Sequence, residues 1–310
     1  MAPEVSVTIH GCRGSFPIGG KEFNRYGGAT SCVVVSIGDR DIVFDAGSGI
    51  IDYGRELLMQ SIQKKEPITN TLFFSHLHFD HLIGLPYFPP IFHPASTLYL
   101  YGPRPSRFDS FEETIESLVQ SPFYPVALHE MHALKFFGDI GEAEVVYFTR
   151  GNKTPIKVRS GHPDHQSLIP APEDIEAEVH CMRGFNHPKL GVNIYKVIAE
   201  GRTIVYATDT EGYVHGDQRL AEFARGADLL IHDAMYTEDH YTALPVPTQG
   251  YGHSTVQIAT NLASMAEVKQ LCLFHHDPKS TDDSLDRVAK EARSYFENSV
   301  VARDGLVLSI

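Results

Sequence analysis

The most constraining feature of this chain is His76-Leu77-His78-Phe79-Asp80-His81, entered directly from the apolar run Thr71-Leu72-Phe73-Phe74. Such a run, aromatic and apolar, reads as a buried strand. Alternation along it brings His76 and His78 to one side, and the turn that follows carries Asp80 and His81 round to a neighbouring position. Four ligand-type side chains at a strand end thus project into one small volume. Nitrogen and carboxylate donors together suit zinc, with manganese and iron(II) as the other metals this set accepts. Gly84-Leu85-Pro86 closes the segment with a turn.

Seventeen histidines against four cysteines give a large supply of imidazole. Cys12, Cys32, Cys181 and Cys272 lie far apart with no Cys-x-x-Cys pair, which reads as buried free thiols of a reducing compartment. The start MAPEVSVTIHG lacks a basic region leading into an apolar core, and no apolar run approaches the roughly 20 residues that span a bilayer. A cytoplasmic protein with no membrane partner is therefore expected. The formal charge of −13 argues against an extended nucleic-acid surface, which needs clustered Lys and Arg. A small phosphorylated substrate stays open, because a metal centre supplies positive charge locally.

Strand patterns recur at 5–9, 31–37, 41–44, 71–74, 97–101, 145–148, 179–182, 193–198, 203–207, 229–231 and 268–274. Helical periodicity appears at 50–60, 110–120, 217–225, 255–266 and 281–298, with an N-cap for the fourth in Gly252-His253-Ser254-Thr255. Strands in successive pairs, with helices between the later ones, predict an α/β protein with two sheets face to face and helices outside, an αββα sandwich. The stretch 150–178 is rich in Gly, Pro, Asp and His with little periodicity, and reads as a lid-like or surface insertion.

The His-x-His-x-Asp-His run after an apolar strand resembles the signature of the metallo-β-lactamase superfamily. Further motifs of that family stand in order: Phe44-Asp45-Ala46-Gly47-Ser48-Gly49, Asn186-His187-Pro188, Tyr206-Ala207-Thr208-Asp209-Thr210 and Leu271-Cys272-Leu273-Phe274-His275. The match runs from about residue 5 to 280. It implies one domain over 1–310 of the metallo-β-lactamase fold, two mixed β-sheets with helices on the outer faces, and insertions at about 104–135 and 150–178. It also implies two divalent metal ions. His76, His78 and His187 would hold one, Asp80, His81 and His275 the other, with Asp209 bridging and Asp45 fixing a ligand imidazole from behind. Two such cations share a hydroxide and clamp a substrate oxygen. His10 and His276 have no motif assignment and read as packing.

The isolated Asn-His-Pro with its Gly191-x-x-x-Tyr195 strand resembles the branch holding tRNase Z and a cyclic phosphodiesterase, and not the thioesterase pattern of glyoxalase II. His232-Asp233-Ala234 is similar to the His-Glu-Ala-Thr segment of tRNase Z, with aspartate for glutamate, and Gly252-His253-Ser254-Thr255 to its His-Ser-Thr segment. The resemblance implies His253 as proton donor to the leaving oxygen with Asp233 orienting it, so that Asp80, His253 and Asp233 are the catalytic candidates. Arg13 and Arg25, in an opening similar to small cyclic-phosphodiesterase-like members, are candidate phosphate contacts, with a structural salt bridge as the other reading. The chain is acidic and shows no Gly- and Pro-rich basic arm for tRNA; 104–135 instead carries Phe, Tyr and Pro to roof the site or form a homodimer interface. The expected function is a dinuclear-metal phosphodiesterase acting by metal-bound hydroxide on a small or cyclic phosphodiester. The alternatives are an ester, thioester or lactone hydrolase, a tRNA 3′-processing endonuclease, and a non-catalytic metal-binding protein.

Overall fold

The computed structural model describes residues 4–213 and 215–310; the first three residues of the N-terminal stretch discussed above, and Val214, lie outside the described residues. Period-two alternation builds the strands. In β1 (Val5–Gly11) Val5, Val7 and Ile9 are buried while Ser6, Thr8 and His10 are only partly so. Along the chain follow β2 (Cys32–Ile37), β3 (Arg40–Phe44), β4 (Ile68–Phe73), β5 (Ser96–Gly102), β6 (Leu134–Asp139), β7 (Glu144–Thr149) and β8 (Asn152–Arg159). Then come β9 (Ile175–Gly184), β10 (Val192–Ala199), β11 (Arg202–Ala207), β12 (Leu229–Asp233), β13 (Leu271–Phe274), β14 (Ser299–Val301) and β15 (Leu306–Ser309). Among the described residues they form a seven-stranded sheet, β15-β1-β2-β3-β4-β5-β6, and an eight-stranded sheet, β14-β13-β12-β11-β10-β9-β7-β8.

The strands β3 to β6 run parallel in the first sheet, and β11 to β14 run parallel in the second. Parallel strands share a carboxyl end, and ligand sites of α/β sheets gather there. Between the sheets the rings of Phe44, Phe73, Tyr195 and Tyr206 pack at centroid distances of 5.3–5.5 Å across the interface. Helices α1 (Ile50–Lys64) and α2 (Phe111–Leu118) cover the outer face of the first sheet; α3 (Gln218–Phe223), α5 (Val256–Met265) and α6 (Asp282–Tyr295) cover that of the second, with the short α4 (Glu238–Thr242) between. Side-chain caps start several of them: Ser110 accepts from the Glu113 amide, Asp217 from Leu220, Thr255 from Ile258 and Thr281 from Ser284. The αββα layering is the one expected.

Two stretches differ from the sequence reading. The supposedly irregular 150–178 contains β8 and the first residues of β9. Edge strands are blunted with lysine and tolerate proline, and Lys153, Pro155 and Lys157 in β8 at the sheet edge masked the alternation for that reason. The 104–135 stretch is not a lid throughout. Its α2 buries Phe111 and Ile115 in the outer layer, with Phe111 at 5.2 Å from Phe74.

Two tyrosines of the second sheet reach across to the first. Tyr195 donates its hydroxyl to the Phe74 carbonyl at 2.7 Å, and Tyr206 donates to Asp45 Oδ2 at 2.7 Å. Removing one hydroxyl strands a buried acceptor. Tyr195→Phe is therefore expected to destabilise the fold by about 1–3 kcal/mol in urea unfolding followed by circular dichroism, with the slope of the transition unchanged.

Candidate metal centre

Each candidate ligand sits where a strand stops. Asp45 follows β3, the His76–His81 run follows β4, Asp209 follows β11, Asp233 ends β12 and His275 follows β13; His187 lies in the connection from β9 to β10. Asp45, Asp209 and His275 have left-handed backbone, at φ 61°, 52° and 59°. Non-glycine residues adopt that region at a cost, and such strain concentrates at sites of function. The turn out of each strand swings these side chains into the mouth between the sheets.

The donor atoms fall into overlapping groups. His76, His78, His187 and Asp209 each offer an atom within 4.8 Å of the others, and so do Asp80, His81 and His275; a third set, Asp209, Asp233, His253 and His275, overlaps both. His78 Nδ1 stands 3.1 Å from His187 Nε2, while Asp209 Oδ1 is 3.6 Å from His76 Nε2 and 3.7 Å from His187 Nε2. In the second group His81 Nε2, His275 Nε2 and Asp80 Oδ2 are 3.1–3.3 Å apart, and Asp209 Oδ2 lies 3.2 Å and 3.3 Å from the two imidazoles. Asp209 thus turns one oxygen to each group. Four donors held about 2.0–2.1 Å from a tetrahedral zinc would stand roughly 3.3–3.4 Å from one another, so the observed spacings match a divalent ion in each group. His76 Nε2 is buried without a hydrogen-bond partner, as a lone pair facing a metal position should be.

Charge gives the same answer. Asp45, Asp80, Asp209 and Asp233 are at most 6 % exposed, and among the described residues their ion-pair partners are all histidines. Four buried carboxylates without a lysine or arginine are costly, and two divalent cations would carry four positive charges against them. Burial pulls the imidazoles of His76, His78 and His187 below their usual pKa, toward the neutral form that binds metal. At His81 burial acts the same way, but Asp80, Asp209 and Asp45 outweigh it and lift its pKa well up. Burial opposes ionisation of Asp209, yet His275, His81 and His76 hold it well below the usual carboxylate range.

The surroundings lock this arrangement. Asp45 Oδ2 lies 2.8 Å from His81 Nδ1, so Nε2 is the nitrogen left to face the centre. The same carboxylate accepts from the Ser75 amide and hydroxyl and from Tyr206, each at 2.7 Å. The Ser15 amide donates to Asp80 Oδ2 at 2.7 Å. Two glycines are required by close approach: a Cβ on Gly14 would lie 2.4 Å from the His275 ring, and one on Gly252 2.3 Å from His187 Nδ1. Gly252 also takes φ +88°, and its carbonyl lies 3.1 Å from His187 Nδ1. Glu211, which carries no motif signal, accepts from the amides of Gly250 and Gly252 at 2.8 Å and 2.9 Å and so fixes the loop before His253.

His253 and Asp233 are brought together beside the second group. His253 Nδ1 is 2.8 Å from Asp233 Oδ2, its ring stacks on His275 at 5.0 Å, and its side chain keeps 12 % exposure. Burial lowers its pKa, but Asp233, with Asp209 and Asp80 further off, overrides this and raises it to about 9. The shorter aspartate therefore makes the contact that the sequence left open.

Arg13 and Arg25 make contacts within the chain, as the structural reading of both allowed. Arg13 is fully buried, its Nε and Nη1 donating to the carbonyls of Gly27, Asp277 and Ser280 at 2.9, 3.1 and 2.7 Å, while Nη2 is left without a partner among the described residues. It braces the loop that delivers Gly14 and Ser15, and phosphate does not reach it. Arg25 pairs on the surface with Asp283 and Asp286 of α6, at 2.7 Å and 2.6 Å. His10 packs on Tyr53 at 5.2 Å, and His276 Nε2 lies 3.0 Å from the Ala302 carbonyl, as packing residues. Phe79, Phe185 and Tyr251, each within two residues of a candidate ligand or of His253, are exposed, as is Phe16 next to Ser15.

A family model for the beta-lactamase superfamily domain matches residues 40–276. Ribonuclease Z of Picrophilus torridus is 27 % identical over 331 residues, covering 100 % of this chain and 97 % of its own. Among solved structures, the short form of human tRNase Z superposes with a TM-score of 0.62 at 21 % identity, over 98 % of this chain and 99 % of its own. A diphosphatase of the PhnP family gives a TM-score of 0.62 at 14 % identity, over 99 % and 98 %.

Stripped of metal and titrated with zinc, the protein is expected to take up two equivalents by elemental analysis and to gain about 4 kcal/mol of stability at a thousandfold excess over Kd. Asp209→Ala should hold fewer than two and lose most of that gain in thermal unfolding. Equal stoichiometry and equal stabilisation in the variant would refute the bridging geometry.

Proposed function

This chain belongs to the metallo-β-lactamase superfamily of metal-dependent hydrolases, with relatives in its tRNase Z-like branch, and from that premise we propose that it hydrolyses a small or cyclic phosphodiester. The observation that carries the reading is the His253–Asp233 pair standing beside a centre whose carboxylates call for two cations. His76, His78 and His187 would hold one divalent ion and Asp80, His81 and His275 the other, with Asp209 facing both; the nitrogen-rich donor set favours zinc. Bound there, the two ions would supply Lewis acidity toward the phosphoryl oxygens and would make water a nucleophile near neutral pH.

The chain's own groups do the rest. A phosphodiester loses an alkoxide, which needs a proton as the ester P–O bond breaks and the bond from water to phosphorus forms. Asp233 holds His253 by Nδ1, so Nε2 is the nitrogen that hands its proton to the departing oxygen. Asp45, through His81, and the Gly252 carbonyl, through His187, keep ligand imidazoles in one tautomer and orientation. Ser15, through its amide, orients Asp80.

Processing of tRNA is the second reading, favoured by the relatives named Ribonuclease Z. A net charge of −13 weighs toward a small substrate, since tRNA binding draws on clustered basic groups. A cytoplasmic setting fits this chemistry, and no helix among the described residues is long and apolar enough to cross a membrane.

The protein is expected to cleave bis(4-nitrophenyl) phosphate and to lose that activity with chelator or in His78→Ala. His253→Ala should lower kcat about 10²–10⁴-fold on a diester with an alkyl leaving group, and far less on the nitrophenyl ester, whose phenolate departs unprotonated. A panel of phosphodiesters, thioesters, lactones and precursor tRNA, compared by kcat/KM, decides the substrate. A preference for acyl substrates with no dependence on His253 sinks the proposal, and a preference for precursor tRNA replaces it with the second reading.

A further inference from the structure

Beside the metal-binding turn lies a cleft of about 180 Å³ that no step of the proposed reaction uses. One wall is the turn itself, through Phe79, Leu82 and Ile83; the other comes from the end of α2 and the segment after it, through Leu118, Phe123 and Tyr124. No charged side chain lines it among the described residues. The hydroxyls are those of Tyr87 and Tyr124, and the second is already spent on the Pro86 carbonyl at 2.7 Å. That bond, with the edge-on packing of Tyr87 and Tyr124 at 5.5 Å, ties the 118–124 segment to the turn.

Continuity with the centre sets what the cleft is for. Phe79 stands between His78, exposed at the mouth, and Asp80, buried in the second donor group. Through Phe79 the cleft thus shares the turn that carries donors of both groups. Phe79, Ile83, Tyr87 and Phe123 are 69, 38, 55 and 80 % exposed, so water leaves apolar surface when the cleft fills. An apolar cavity of about 150 Å³ holds a benzene-sized guest, so the cleft takes one aromatic ring or a chain of about six carbons.

Resting on the phosphodiesterase reading, we infer that this cleft is a specificity subsite that receives one apolar ester arm, alkyl or aryl, of the substrate. Ile83 and Phe123 are its specificity-determining residues. The cleft selects against diesters whose arms are both polar, because only the Tyr87 hydroxyl among its lining side chains is left to meet a sugar hydroxyl or a second phosphate.

Two measurements test this, one of them free of turnover. In the first, a series of 4-nitrophenyl alkyl phosphates from methyl to hexyl is assayed by nitrophenolate release. The intact protein is expected to gain up to about fourfold in kcat/KM per methylene, mainly through KM. Ile83→Asn and Phe123→Ser should flatten that slope while leaving the methyl ester nearly unchanged. A flat series in the intact protein, or an equal slope in the variants, overturns the subsite while bis(4-nitrophenyl) phosphate turnover still upholds the catalytic reading.

The second uses the absence of tryptophan from the chain, which makes Phe123→Trp a single fluorophore in the cleft. Its emission should shift to the blue with dihexyl phosphate and stay fixed with dimethyl phosphate, with or without metal. If no phosphodiester is turned over, this shift alone decides the subsite. Equal response to both phosphates, or a shift that follows protein concentration without ligand and so reports a second copy in the cleft, overturns it.

Discussion

Everything in this molecule accommodates four ionisable carboxylates, on Asp45, Asp80, Asp209 and Asp233, driven into the space where two sheets meet. Desolvated anions at that density repel one another, and burial pulls the nearby imidazoles of His76, His78 and His187 toward the neutral form. Divalent cations remove the penalty, and the fold supplies the rest as directed hydrogen bonds: serine, tyrosine and backbone amides to Asp45, and an amide to Asp80. The centre is as much a structural device as a chemical one. Its demand for opposite charge is satisfied only when the strands that carry it are in register.

That demand explains the left-handed residues at the strand ends. A strand that simply continued past Phe44, Ala207 or Phe274 would aim its next side chain along the sheet normal, away from the mouth. Turning Asp45, Asp209 and His275 through φ near +55° costs conformational energy, which the packing of Phe44, Tyr206 and Phe274 beneath them repays. The aromatic layer between the sheets and the polar centre above it are therefore one unit. Tyr206 belongs to both, with its ring on Phe44 and its hydroxyl on Asp45.

How much of this was legible in the sequence follows from the distance over which each residue acts. The run from His76 to His81 was readable because its donors are local and follow an apolar strand, and the layered architecture followed from the strand and helix periods. Pairing of His253 with Asp233 was suggested only by resemblance, since 20 residues separate them. Glu211 was silent because its partners, the amides of Gly250 and Gly252 and the hydroxyl of Tyr241, lie 30 to 41 residues on. Arg13 stayed open between an anion contact and a structural role, because the carbonyls of Asp277 and Ser280 that surround it lie more than 260 residues away. The strand β8 was hidden by the lysines and proline that suit an edge.

The pairing of β15 with β1 joins Ser6 to Ser309 and Ile9 to Leu306. In a chain made from its amino end, β1 must wait beside β2 with one edge bare until nearly three hundred further residues have emerged. His275, and with it the second donor group, arrives almost as late. Pairings this remote slow folding and leave a sticky edge exposed in the meantime. Completion of the second donor group thus belongs to the last stage of the protein's assembly, when the growing chain closes on its own beginning.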